Sequence, residues 1–208
     1  MVLTSGAHLG PYEIVAPLGV GGMGEVYRAR DTRLERTVAI KVLRERLGDD
    51  PQFRERFDRE ARTISQLEHP HICALYDVGR ENGTSYLVMQ YLEGETLASR
   101  LEDGPMAMGE AITIAIEMAD ALDKAHRSGV VHRDLKPGNI YLTRSGAKLL
   151  DFGLAKSAAT VAIGSYGAVA TTGDLVATAQ GTILGTFQYM APEQIEGAPV
   201  DARTDIFA

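Results

Sequence analysis

The chain has one cysteine, Cys73, and no tryptophan. A lone thiol cannot close an internal disulfide, so burial and hydrogen bonds must hold the fold, as is usual in a reducing compartment. No apolar run approaches the ~18 residues that a membrane span needs. The opening Met1-Val-Leu-Thr-Ser-Gly-Ala-His-Leu-Gly10 reads as no secretory signal, because a basic block followed by an apolar one is missing. The cytoplasm is therefore the expected location. Basic charge is scarce too: 21 Lys and Arg stand against 28 Asp and Glu, a net charge of −7. That balance speaks against a nucleic-acid binder, whose phosphate contacts need a positive surface. The 8 prolines are scattered, so no Pro-rich linker divides the chain. What remains is ordinary for a globular protein, with 45 % apolar and 24 % charged residues. A chain of this length buries roughly 70 % of its unfolded surface, enough for a core in one or two domains.

The first third alternates strand signals with one helix. Residues 12–18, 25–29 and 37–43 predict strands, the last being rich in β-branched side chains. A glycine cluster, Gly19-Val-Gly-Gly-Met-Gly24, separates the first two. Asp50-Pro51 predicts a helix start, with Asp as the cap and Pro in the first turn. Phe53, Phe57, Ile64 and Leu67 then fall on one helical face. Strands are expected at 75–78 and 86–89, joined by a turn holding Asn82-Gly83. The period then changes. Residues 108–128 predict a long helix with Ile112, Ile116, Ala119, Leu122 and His126 on one face and Gly129 as its C-cap. Short strands are expected at 130–131, 140–142 and 148–150, the last two joined by a turn at Arg144-Ser-Gly146. Residues 157–192 hold one charged side chain, Asp174, among Ala, Gly and Thr; long stretches without a period are usually functional or unstructured. Residues 201–208 read as the start of a helix.

The spacing Gly19-x-Gly21-x-x-Gly24 admits two readings. A dinucleotide fold needs a helix directly after the third glycine, so that its N-terminus meets a pyrophosphate. Here Glu25-Val-Tyr27 follows, which is strand chemistry. A β-hairpin whose tip covers phosphates fits better. Lys41 sits within an apolar strand and shares a face with Ala39 and Leu43. Its stem could simply snorkel to solvent, or its charge could serve an anion in a cleft. Glu60 lies between Phe57 and Ile64 on the helix face, where an unpaired carboxylate would cost several kcal/mol. Lys41 is the obvious cation for it.

The string His132-Arg-Asp-Leu-Lys-Pro-Gly-Asn139 follows, then Asp151-Phe-Gly153 and Ala191-Pro-Glu193. With the glycine cluster and Val38-Ala-Ile-Lys41, these resemble the protein-kinase signature set in order and spacing. Lys136 and the run Gly185-Thr-Phe-Gln-Tyr-Met-Ala-Pro-Glu193 are similar to the serine/threonine branch, and the whole resembles the bacterial eukaryotic-like members. The resemblance implies an α+β, bilobal fold: a β-rich N-lobe over 1–90 and an incomplete, mainly helical C-lobe over 91–208. It implies ATP, with Mg²⁺ or alternatively Mn²⁺, and protein substrates, self-association with trans-autophosphorylation being a further partner expectation.

The same resemblance implies residue roles. Asp134 accepts the substrate hydroxyl proton, and Lys136 stands near the γ-phosphate. Asn139 and Asp151 offer hard oxygens to the metal. Lys41 holds phosphates and pairs with Glu60. Leu18, Gly19, Gly21, Gly22 and Gly24 form the loop over the nucleotide. Val26, Ala39 and Leu142 enclose the adenine, Met89 is the gatekeeper, and Gln90 and Leu92 offer hinge backbone groups. Arg133 would receive a phosphorylated activation loop, with Thr171, Thr172, Thr178 and Thr182 as acceptors, while Thr186 contacts Asp134 and Lys136. Cys73 is expected to be a buried small hydrophobe.

Two features depart from that pattern. The segment from Asp151 to Glu193 is long for the family. Further helices would follow Asp205, the residue matched to the brace of the His-Arg-Asp loop, yet the sequence stops at Ala208. The expectation is a bare face on the long helix, a fraying Asp205, a missing partner for Glu193 and impaired catalysis. The alternative reading is a nucleotide- or partner-binding module without useful activity.

Overall fold

The computed structural model describes residues 3–21, 24–43, 51–81, 83–152 and 187–208. Gly22, Asp50, Asn82, Gly153, Thr171, Thr172, Thr178, Thr182 and Thr186 lie outside the described residues. The chain divides into two units, Met1–Glu93 and Gly94–Ala208. The seam falls at Gly94 rather than after residue 90 because Gly94 opens a strand that pairs within the second unit.

The first unit is a six-stranded antiparallel sheet in the order β1-β2-β3-β4-β6-β5. Its strands are β1 (His8–Leu9), β2 (Tyr12–Gly21), β3 (Gly24–Asp31), β4 (Arg36–Leu43), β5 (Leu75–Glu81) and β6 (Thr84–Gln90). Alternation sends Tyr12 and Ile14 of β2, Tyr27 and Ala29 of β3, and Val38 and Ile40 of β4 into one buried cluster with Tyr86 and Val88. The Tyr12 and Tyr86 rings meet edge to face, 6.2 Å apart. The helix α1 (Pro51–Ser65) buries Phe57, Ala61 and Ile64, spaced four and three residues apart, and packs beside β5. Leu67, just past its end, is also buried.

The glycine cluster forms a hairpin. β2 continues through it and pairs Gly19 with Val26, Val20 with Glu25 and Gly21 with Gly24. The register shifts between Pro17 and Gly19, so the proline sits at an irregularity, where its missing N–H costs no ladder bond. The glycines are not equivalent. At Gly24, φ is +147°, and an added Cβ would lie 1.9 Å from the Val42 carbonyl oxygen. At Gly19 an added Cβ meets nothing within 4 Å. Gly24→Ala is therefore expected to destabilise the first unit by roughly 1–3 kcal/mol, the usual cost of forced overpacking. Gly19→Ala should leave the melting temperature in place. Thermal unfolding of the two variants checks this, and equal melting points would show that β3 can move off β4.

The second unit holds the antiparallel sheet β7-β8-β9, made of Gly94–Thr96, Ile140–Thr143 and Gly146–Leu149. Thr96 ends β7 and caps α2 (Leu97–Glu102), its Oγ1 accepting the Ser99 N–H at 3.1 Å. The long helix α3 spans Met108–Arg127 and buries Met118, Ala121, Leu122 and Ala125. This buried stripe lies beside the face expected to be bare, which is exposed at its two isoleucines. Ile112 and Ile116 are 52 % and 64 % exposed, and only Leu122 is shared with the buried stripe. The alanines let β9 approach closely, and Glu117 fixes the contact by accepting the Ala147 N–H at 2.8 Å. The expected strand at 130–131 is absent. Gly129, at φ +74°, donates to the His126 carbonyl and Val130 donates to that of Ala125, both at 2.9 Å. Those bonds close the end of α3 and use the N–H that a strand would need. Short helices at Pro192–Ile195 and Ala202–Phe207 follow, the second capped by Asp201, which accepts the Arg203 N–H at 2.9 Å. Among the described residues no helix is long and apolar enough to cross a membrane.

Candidate active site

The loop between α3 and β8 carries His132, Arg133, Asp134, Lys136 and Asn139, and one buried carboxylate organises its entry. Asp205, 2 % exposed, accepts the Arg133 N–H on Oδ1 and the His132 N–H on Oδ2, both at 2.8 Å. His126 of α3 places Nε2 2.8 Å from the same Oδ2. Asp205 is thus firmly held, contrary to the expectation of a fraying stub. The helix that carries it is short, but four residues before it Asp201 caps the first turn.

His132 is fully buried. Its Nε2 meets the Leu150 carbonyl at 2.7 Å, and its Nδ1 faces the Asp134 N–H at 3.3 Å. Only a neutral ring protonated on Nε2 serves both partners. Burial pushes its pKa down, outweighing the pull of the Asp205, Asp134 and Asp151 carboxylates. The ring also packs against Phe152 at 4.8 Å. Two non-glycine residues here lie in the left-handed region, Arg133 at φ +65° and Asp151 at φ +49°. Such strain persists where surrounding bonds over-determine the backbone, and it concentrates at functional sites.

Asp134 is 8 % exposed. Its Oδ2 lies 3.0 Å from Lys136 Nζ and accepts from Asn139 Nδ2 at 3.0 Å, and the same Nδ2 donates to the Asp134 carbonyl at 2.7 Å. Pro137 starts the 3₁₀ turn Pro137–Asn139 that returns Asn139 to Asp134. Leu150 then donates to the Asn139 carbonyl at 2.9 Å, tying this turn to the stretch that leads into Asp151. Because Asn139 spends its amide nitrogen on Asp134, its hard oxygen is the atom left for an external ligand. Among the described residues no cluster of three or more His, Cys, Asp or Glu is gathered for a metal. Two oxygen donors, Asn139 and Asp151, suit instead a hard divalent cation that takes its other ligands from water and phosphate.

Around this loop, Arg133 keeps a buried Nε without a hydrogen-bond partner among the described residues. Glu193 accepts from the Thr204 hydroxyl at 2.5 Å, and this bond holds its carboxyl below the usual range. Thr204, eleven residues on, is thus a hydrogen-bond partner of Glu193 among the described residues. His126, Gln194 and Thr204 were missed as site residues. His126 was noticed only as a helix-face residue, and Gln194 stands directly behind the Ala-Pro-Glu run.

In the first unit, Lys41 is 8 % exposed on β4, opposite Val26 of β3 and Leu87 of β6. Glu60 is half-buried on α1. Ala39 is buried and pairs with Met89. Leu18 is 48 % exposed on β2. Gln90 donates its N–H to the Ala74 carbonyl at 2.9 Å, and its own carbonyl takes the Cys73 thiol at 3.6 Å. Cys73 is half-buried rather than buried, its thiol directed at that carbonyl. Leu92 is half-buried just past β6, and Leu142 is half-buried on β8 of the second unit.

The first unit thus sets a glycine hairpin ahead of a buried strand lysine, and the second pins an acid–lysine–asparagine loop with a buried aspartate. The chain belongs to the protein kinase family: the protein kinase domain model matches residues 12–208. It is 43 % identical over 205 residues to the probable serine/threonine-protein kinase SCO3848 of Streptomyces coelicolor, covering 96 % of this chain and 29 % of that protein. It is 44 % identical over 213 residues to the serine/threonine-protein kinase PknB of Mycolicibacterium smegmatis, covering 99 % of this chain and 32 % of that protein. The chain thus spans about a third or less of the length of these relatives. The crystal structure of the Mycobacterium tuberculosis PknI kinase domain superimposes with a TM-score of 0.75 at 32 % identity, covering 98 % of this chain and 71 % of that one.

Proposed function

We propose that this chain carries the phosphotransfer site of an ATP-dependent serine/threonine protein kinase acting in signalling. The observation that supports it most is the Asp134 carboxylate, fixed by Asn139 and Lys136 at 3.0 Å each on a loop braced by Asp205. Phosphoryl transfer needs positioning and charge neutralisation more than covalent chemistry from the protein. Asp134 orients the substrate hydroxyl and takes its proton. Lys136 supplies a compact positive charge beside the transferred group. Lys41, with Glu60 as counter-charge, orients the nucleotide phosphates, and the glycine hairpin offers them backbone N–H groups. Val26, Ala39 and Leu142 enclose the base, Gln90 and Leu92 serve it through their backbone, and Met89 limits the space behind it. Asn139 and Asp151 would hold a divalent cation, Mg²⁺ in the first place, which supplies charge neutralisation at the phosphates. Arg133 receives an acceptor threonine once it is phosphorylated, in trans between two copies. The cytoplasm, which supplies ATP, is the compartment assigned.

Incubating the whole protein with labelled ATP, Mg²⁺ and Ser/Thr-containing protein is expected to place phosphate on hydroxyl side chains. Nucleotide binding without transfer would overturn the catalytic reading in favour of a binding module, and absence of both would overturn the nucleotide site itself.

A further inference from the structure

The short helix Pro192–Ile195 holds a side chain that the reading above does not use. Gln194 is half-buried. Its Nε2 donates to the Arg133 carbonyl at 2.8 Å, and its Oε1 accepts the Ala191 N–H at 3.1 Å. The orientation of the amide is dictated by these partners, since the flipped form would set NH₂ against N–H and oxygen against oxygen. Ala191 is fully buried, so its N–H needs an acceptor. Alanine has no side chain to cap the helix, and Gln194 reaches back to satisfy that N–H.

We propose that Gln194 is a positioning residue for the catalytic loop, locking the peptide between Arg133 and Asp134. Arg133 lies in the left-handed region at φ +65°, a conformation that persists only where both sides of the residue are held. Asp205 takes its N–H at 2.8 Å, and Gln194 takes its carbonyl. That carbonyl belongs to the peptide whose N–H is donated by Asp134 to His132 Nδ1 at 3.3 Å. The peptide plane is therefore fixed at both poles, by Gln194 on one side and His132 on the other. A rotation about it would carry the Asp134 carboxylate off its line to the substrate hydroxyl. One amide also ties this plane to the Met190–Ala191 peptide, so the two peptides are set together.

The proposal rests on the phosphotransfer reading, and two measurements keep the two apart. Amide hydrogen exchange at Asp134 and Ala191 reads the bonds without any turnover. Steady-state kinetics of the whole protein read their effect. Gln194→Met removes both bonds. Gln194→Glu keeps the acceptor for Ala191 but loses the donor to Arg133, so it preserves the helix start if the methionine variant does not fold. The Asp134 amide is expected to exchange at least about tenfold faster in both variants, and the Ala191 amide faster only in Gln194→Met. kcat should fall by roughly 10–100-fold, the effect of a sub-ångström to 1 Å misplacement, with the KM for ATP unchanged. Wild-type exchange at Asp134 in Gln194→Glu overturns the proposal, as does a kcat loss that merely follows the unfolded fraction. If the wild type transfers no phosphate, the kinase reading fails, while the exchange pattern still decides what Gln194 does.

Discussion

Asp134→Asn is expected to lower kcat by about 10²–10⁴-fold, the usual contribution of a positioned general base. ATP affinity should stay nearly unchanged. Asparagine is isosteric, and its amide oxygen can still accept from Asn139 Nδ2, which donates to Asp134 at 3.0 Å. What it lacks is a basic lone pair for the substrate proton and the charge that faces Lys136 Nζ at 3.0 Å. The residues of the first unit proposed to hold the nucleotide are untouched, and the fold should be too, because the loop is braced through backbone N–H groups and not through this carboxylate. Steady-state kinetics beside calorimetric nucleotide binding measure both halves of the expectation. Normal turnover in this variant would remove Asp134 from the chemistry.

How much of this was legible in the sequence depended on whether the signal was local. The glycine hairpin was readable because Glu25-Val-Tyr27 is strand chemistry, and β2 and β3 do pair through the cluster. Asp134 and Asn139 were readable because both lie within one eight-residue string and meet through a single 3₁₀ turn. The failures share a cause in tertiary context. β7 is three residues, Gly94–Thr96, none of them a large apolar side chain, so no alternation marks it; it exists because β8 offers an edge. The buried stripe of α3 was not marked because isoleucines carry the stronger hydrophobic signal, while close approach to β9 selects the smaller Ala121 and Ala125. Val130 looked like a strand residue, but its N–H was needed to end a helix. Gln194 stands beside the Ala-Pro-Glu run, but its bond to the loop arises from a partner 61 residues earlier, which no local pattern shows.

The brace of the loop is where stability and chemistry meet, and Asp205→Ala is expected to damage both. Removing the carboxylate strands the N–H groups of His132 and Arg133, each of which it accepts at 2.8 Å in a buried setting. A buried donor left unsatisfied costs about 1–3 kcal/mol. The two donors are adjacent, so their costs are coupled rather than additive, and the total expected is roughly 2–5 kcal/mol. Arg133 would also lose the support of its left-handed backbone, and His126 would face an empty site. Asp205→Asn should be milder but still harmful: its one oxygen can serve one N–H, while its NH₂ is turned against the other. Urea unfolding of the whole protein is expected to show a lower midpoint for both variants, with kcat falling in step. This separates the brace from the base, because Asp134→Asn should lose turnover at an unchanged midpoint. Were Asp205 frayed, as the length of its helix alone suggests, neither variant would shift the unfolding curve, and an unshifted curve would refute the buried three-way bond seen here.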